Sequence, residues 1–197
     1  MTACAKRIFF SIIVIGLGVA TLYYQKSHSS TTLNFKKYDE RGNQLFQEKK
    51  ISEAINCWQK SLAFASSPEK IYNKIGIAYL AKSDYENGIK SFQKGLKINP
   101  KDVTLSYNLG LCFFQLGNDK MALKRLDFVA ALAPYYPDVH YLKGAIYERA
   151  GLKKEAKAEY IKEVNINLGS IRAWSKLQPQ MDADERRLKN EPQVKAQ

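Results

Sequence analysis

One glycine recurs at equal steps of 34 residues, as Gly42, Gly76, Gly110 and Gly144. Self-similarity at this period limits the chain to architectures built by stacking one short unit, because a unit of that length cannot bury a hydrophobic face without a copy beside it. Other columns keep the same step. Twelve residues after each glycine stands a second small residue, Ala54, Gly88, Ala122 or Ala156, and three after it a large apolar one, Leu45, Tyr79, Phe113 or Tyr147. Sixteen after it come Trp58, Phe92, Leu126 and Tyr160, and four before it Tyr38, Tyr72, Ser106 and His140. A glycine inside a helix costs about 1 kcal/mol relative to alanine, so four in register require a packing reason: these are the places where helices approach most closely.

Turn chemistry divides each period into two helices. Gly117-Asn118-Asp119 and Ala150-Gly151-Leu152 end the first helix of the third and fourth periods, Asp84 is placed to cap the second helix of the second period, and Pro100 and Pro134 stop second helices. The set Tyr72, Ile75, Gly76, Tyr79, Gly88, Phe92, Gly95, Leu96 and Pro100, repeated as Leu109, Gly110, Phe113, Ala122, Leu126, Ala130 and Pro134, resembles the tetratricopeptide repeat (TPR). The resemblance runs from Phe35 to Ser170. It implies an all-α fold, a right-handed superhelical solenoid of helix-turn-helix repeats at 35–68, 69–102, 103–136 and 137–170. Two departures fall in the end repeats, where Ser66 and Leu168 replace the prolines, and one is internal, where Ser106 replaces an aromatic in the third repeat.

The segment before the repeats has another character. Lys6 and Arg7, in a short basic tail at 1–7, precede Ile8 to Tyr24, which contains no charge. As a helix this run spans roughly 25 Å, enough for the lower end of bilayer thickness. It reads as a transmembrane anchor at 8–24. A cleaved signal peptide is the alternative, with Gly18-Val19-Ala20 as a small-residue cleavage site. Residues 25–34, rich in serine and threonine, form a linker. The two basic residues of the short tail favour a single-pass protein with its repeats on the extracytoplasmic side.

After the repeats, 171–178 is expected to form a capping helix whose Ile171, Trp174 and Leu177 cover the last face of the stack. The polar tail 179–197 is expected to be disordered. Cys4, Cys57 and Cys112 occupy unrelated positions and form neither a disulfide framework nor a metal spacing, and Cys112 reads as a packed thiol.

Catalytic signatures are missing. His28 and His140 stand without partners at ligand or triad spacing, and there is no phosphate-binding loop, nucleophile elbow or cysteine-histidine cluster. The chain therefore reads as a non-enzyme with no cofactor and no metal.

The TPR resemblance implies a concave groove, lined by first helices, that holds a protein or peptide segment. The matching positions are Asp39, Asn43 and Phe46; Asn73, Ile77 and Leu80; Tyr107, Leu111 and Phe114; Tyr141, Ala145 and Glu148, with Lys70, Lys74 and Asn108 beside them. A carboxylate clamp for chaperone tails is argued against by Asp39, Thr104, Asp138 and Leu142, which stand where its bases or polar groups belong. The net charge of +12 suggests a second surface, with Lys90, Lys94, Lys97 and Lys101 at helical spacing facing anionic lipid. The lack of interleaved arginine and aromatic residues speaks against nucleic acid. The expected function is a membrane-anchored interaction scaffold or assembly factor. The alternatives are a secreted or periplasmic repeat protein, or a cytosol-facing receptor or co-chaperone on an organelle surface.

Overall fold

The computed structural model describes residues 31–167 and 169–178, and every regular element among them is helical. Helix α1 covers 31–47, followed by α2 (Ile51–Ser61), a short 3-10 turn (Leu62–Phe64), α3 (Pro68–Ala81), α4 (Tyr85–Ile98), α5 (Val103–Gln115), α6 (Asp119–Leu132), α7 (Val139–Arg149), α8 (Lys153–Ile166) and α9 (171–178). Helices α1/α2, α3/α4, α5/α6 and α7/α8 form four hairpins stacked in chain order as a right-handed superhelical solenoid. Each second helix also packs on the first helix of the next hairpin. Residues 31–34, expected in the linker, belong to α1: a helix already nucleated by packing from Phe35 onward extends backwards at little cost.

The period is visible in the side chains that meet. A Cβ at Gly42 would lie 2.6 Å from Trp58 Nε1, at Gly76 2.6 Å from Phe92 Cζ, and at Gly144 2.5 Å from Tyr160 Cε1. Each ring occupies the space that a side chain at the glycine would take, which brings the two helices of the hairpin together. Gly110 faces a smaller partner, and a Cβ there would stand 3.4 Å from Leu126. The turn between the helices repeats as well. Lys49, Ser83, Gly117 and Gly151, each one period apart, have φ of 61°, 58°, 73° and 76°. All four hairpins therefore close through a left-handed residue, with glycine only in the last two.

Helix starts follow local chemistry where it is available. Asp84, Asp102 and Asn118 accept backbone N–H bonds from Asn87, Leu105 and Met121 at 3.2, 2.9 and 3.2 Å. Pro68 opens α3, where its missing N–H costs nothing. Asp138 makes no such cap on α7. Instead the fully buried Glu163 of α8 accepts the N–H groups of Asp138 at 3.0 Å and Tyr141 at 3.4 Å, fastening the fourth hairpin from within.

The seams between hairpins differ. Ile71, Ile75 and Ala78 of α3 and Leu105, Leu109 and Cys112 of α5 are buried against the preceding hairpin. The equivalent residues of α1, Lys37, Arg41 and Gln44, are exposed and form a polar end face. In α7 the middle position is Lys143. Its side chain is only 12% exposed and binds Asp127 of α6 at 2.8 Å and Glu159 of α8 at 3.5 Å. Glu159 also lies 2.6 Å from His140 Nδ1 and 2.9 Å from Lys162. Burial pushes the Glu159 carboxyl up, but the hydrogen bonds from His140 and Lys162 and the charge of Lys143 leave it below 4.5. The third seam thus adds an ion pair to the apolar contacts of Val139, Leu142 and Ile146, at a position where the first two seams place Ile75 and Leu109.

Helix α9 closes the stack through Leu177, as expected, but with Ala173 in place of Ile171 and Trp174. Ala173 and Leu177 are buried with Ala156, Tyr160 and Val164, whereas Ile171 is 81% exposed and Trp174 42% exposed. A small residue lets α9 approach the ring of Tyr160 closely, and this turns Trp174 outward. Cys112 is a packed thiol, as expected, and burial pushes its pKa up to about 12.

Candidate functional site: the first-helix groove

Helices α3, α5 and α7 touch one another directly, so the first helices form the inner layer of the solenoid. The expected groove residues lie on this layer in different states of engagement. Lys74 donates to Asp39 Oδ1 at 2.6 Å and to Asn43 Oδ1 at 3.1 Å. Asn108, itself buried, donates to Asn73 Oδ1 at 2.9 Å. Arg149 lies over the ring of Phe114, 4.7 Å from its centroid, while pairing with Asp119. Glu148 accepts from Tyr160 Oη at 2.9 Å and from Lys176 of α9 at 2.8 Å. The hydrogen bond from Lys176 is the main cause that holds the Glu148 carboxyl below its ordinary value.

Most charges of the strip are therefore answered inside the chain. Lys70 stays exposed at the start of α3. The apolar members divide by depth. Leu80, Tyr107, Leu111, Phe114 and Tyr141 are half-buried against the central core, Tyr107 with its ring 5.0 Å from that of Tyr136 and Tyr141 5.8 Å from Tyr160. Burial raises the Tyr107 hydroxyl pKa well above 10, so it remains a neutral donor. Ile77 is the most open of the set at 37% exposure. It borders a cavity of about 360 Å³ with Asn43, Phe46, Gln47, Trp58 and Lys74. Phe46 and Trp58, with centroids 5.7 Å apart, make its aromatic wall.

Two participants lie outside the columns that the period marks. Gln47 stands one residue beyond the expected strip. Arg149 follows at the same place in the fourth period, and its only sequence signal is that of a basic residue in a last helical turn. Among the described residues no cluster of His, Cys, Asp and Glu is arranged to hold a metal ion, and no helix is long and apolar enough to cross a membrane. The Ile8–Tyr24 run lies outside the described residues.

With the geometry in view, comparison with known proteins agrees on the class. The family described as TPR repeat matches residues 78–117. The solved structure of MamA superposes with a TM-score of 0.65 at 23% identity, covering 73% of this chain and 84% of that one. A tetratricopeptide repeat protein from Parabacteroides merdae gives a TM-score of 0.68 at 15% identity, covering 78% and 64%. Among curated proteins, the Hsp70/Hsp90 co-chaperone CNS1 of Saccharomyces cerevisiae is 32% identical over 54% of this chain and 28% of its own length. Human cilia- and flagella-associated protein 70 is 25% identical over 74% of this chain and 13% of its own. The chain thus matches less than a third of the length of either relative. The fold is a TPR solenoid, and these matches support the tetratricopeptide-repeat assignment.

Proposed function

We propose that this protein is a membrane-tethered scaffold that holds an uncharged, apolar segment of a protein partner in its first-helix groove. The observation that carries the reading is the company Ile77 keeps. An open apolar side chain borders a cavity walled by Phe46 and Trp58, while the nearby charges Lys74 and Asp39 neutralise each other. A partner carrying charge would have to separate that pair, whereas apolar side chains between amide groups fit without that cost. The tether is the uncharged run Ile8–Tyr24, which a linker joins to the repeats.

The relatives include a co-chaperone, but Asp39, Thr104, Asp138 and Leu142 stand where the bases or polar groups of a carboxylate clamp would be needed in one register or the other, so chaperone-tail binding is not part of the proposal. The test uses a photo-reactive amino acid at Ile77 in the full-length protein, with a matched probe at exposed Lys124. A discrete protein cross-linked at Ile77, lost when Phe46→Glu is added and absent at Lys124, supports the groove. Identical cross-links from both positions overturn it. Mass spectrometry of the mature amino terminus tests the tether, since loss of the residues before Ala20 makes the protein a cleaved, secreted or periplasmic one.

A further inference from the structure

The second helices present a surface that the groove does not use. Lys90, Lys94 and Lys97 of α4, Lys120 and Lys124 of α6, and Lys153 and Lys154 of α8 are exposed. The acids that would balance them are drawn elsewhere. Asp119 pairs with Arg149 and Asp127 with Lys143, both on α7. Glu159 is buried against His140 and Lys143, and Glu163 caps the start of α7. Of the acids on these three helices, Glu86, Asp127 and Glu155 are exposed, Asp127 with its carboxylate bound to Lys143.

The period also aligns the bases. Lys60 and Lys94, Lys90 and Lys124, and Lys120 and Lys154 are each one repeat apart, so positive charge recurs at equal heights on successive second helices. Between α2 and α4 the surface opens into a cleft of about 170 Å³, with Lys90, Lys94, Gln59 and Asn87 at its rim and Tyr72 and Tyr79 in its wall. Lys94 Nζ stands 5.9 Å from the centre of the Tyr72 ring.

From this arrangement we infer that the convex face docks on an anionic phospholipid surface. The exposed bases are lysines, compact point charges suited to a diffuse field of headgroups, and they lack the planar forks that read phosphate in a fixed geometry. The rings by the cleft stand in its wall and offer no row of open faces on which bases stack. The choice of lipid over nucleic acid rests on the tether proposed above, which keeps a bilayer within reach of the repeats. The lysine surface itself does not depend on the tether.

The experiment is lysine footprinting of the full chain by brief acetylation and mass spectrometry. It compares neutral phosphatidylcholine vesicles with vesicles containing about 30% phosphatidylserine. Flotation with neutral vesicles reads the tether alone, and the change on adding phosphatidylserine reads the convex face. The expected result is acetylation of Lys90, Lys94, Lys120 and Lys124 slowed roughly threefold or more on anionic vesicles, reversed by about 0.5 M salt, with concave Lys70 unaffected. Lys90→Glu with Lys124→Glu, both exposed, should abolish the protection at the remaining lysines without moving the melting temperature. Equal rates on the two kinds of vesicle overturn the inference. Stronger protection by duplex RNA at matched phosphate concentration overturns it in favour of nucleic acid.

Discussion

Lys74 Nζ lies 2.6 Å from Asp39 Oδ1, and the two residues are 35 apart, one more than the period. Asn73 and Asn108 meet at the same offset, as do Phe114 and Arg149. Neighbouring parallel helices face each other with opposite flanks, so the residue that meets position n is not its own equivalent but the next one along. These contacts stitch the groove from repeat to repeat. A double-mutant cycle on Asp39→Asn and Lys74→Met should give a coupling of about 0.5 to 1 kcal/mol, at the upper end for partly exposed pairs because Asp39 is well shielded. Urea melts measure it, and strict additivity would remove the pair from the account of the groove.

The glycines of the period should not be equivalent. Gly76→Ala drives a methyl into the Phe92 ring, while Gly110→Ala meets Leu126 at 3.4 Å and Arg125 Cβ at 3.3 Å. The first is expected to cost about 2 kcal/mol. The second should lie within about 0.5 kcal/mol of wild type, because the helical preference of alanine offsets a slight crowding. Thermal melts of the two variants decide this, and equal losses would contradict it.

A separate pair tests the turns. A Cβ at Gly117 meets nothing within 4 Å, so Gly117→Ala can suffer only through its φ of 73°. It should lose about 1 kcal/mol. Ser83, left-handed at 58°, is the reverse case, and Ser83→Gly should gain about 0.5 kcal/mol after the entropy of glycine is counted. A loss on Ser83→Gly in chemical denaturation would mean that its hydroxyl matters more than its backbone.

The docking of α9 should depend on acid. Glu148 has its pKa lowered from 4.5, chiefly by the hydrogen bond from Lys176. A depressed carboxyl contributes stability that is fully present above its unfolded value and is lost as pH falls through the folded one. The difference in melting temperature between wild type and Glu148→Gln should therefore be constant near neutral pH, shrink below 4.5 and vanish once the folded group is protonated. A difference that persists in strong acid would place the effect outside ionisation.

Thiol chemistry offers a last check. Cys112 is fully buried with its pKa pushed up to about 12, while Cys57 is half-buried beside Lys36 and Arg41. Under native conditions near neutral pH, Cys112 should react with iodoacetamide roughly tenfold or more slowly than Cys57. Comparable rates would show that the central core opens readily.

The parts of this fold legible in the sequence are those that residue size encodes at fixed spacing. Gly42 with Trp58, Gly76 with Phe92 and Gly144 with Tyr160 are small–large pairs, and their constant separation marks out the hairpin. The first-helix layer is legible as a set of columns, and Ile77 and Phe46 of those columns border one cavity. The internal partners of Lys74 and Asn108 are not, because a period assigns faces and carries no record of how adjacent helices offset their flanks. The face of α9 is hidden for a related reason. Counting apolar residues favours Ile171 and Trp174, whereas docking on Tyr160 selects the small side, Ala173.

Lys143 gives the array an uneven grain. In a one-dimensional chain of repeats, cooperativity travels only as far as each link couples its neighbours. The links at Ile75 and Leu109 have apolar side chains at their centre, whereas the link at Lys143 sets an ion pair with Asp127 among the apolar contacts of Val139, Leu142 and Ile146. Salt or acid should accordingly weaken the coupling of the fourth repeat to the third in part, while Val139 and Ile146 keep it attached.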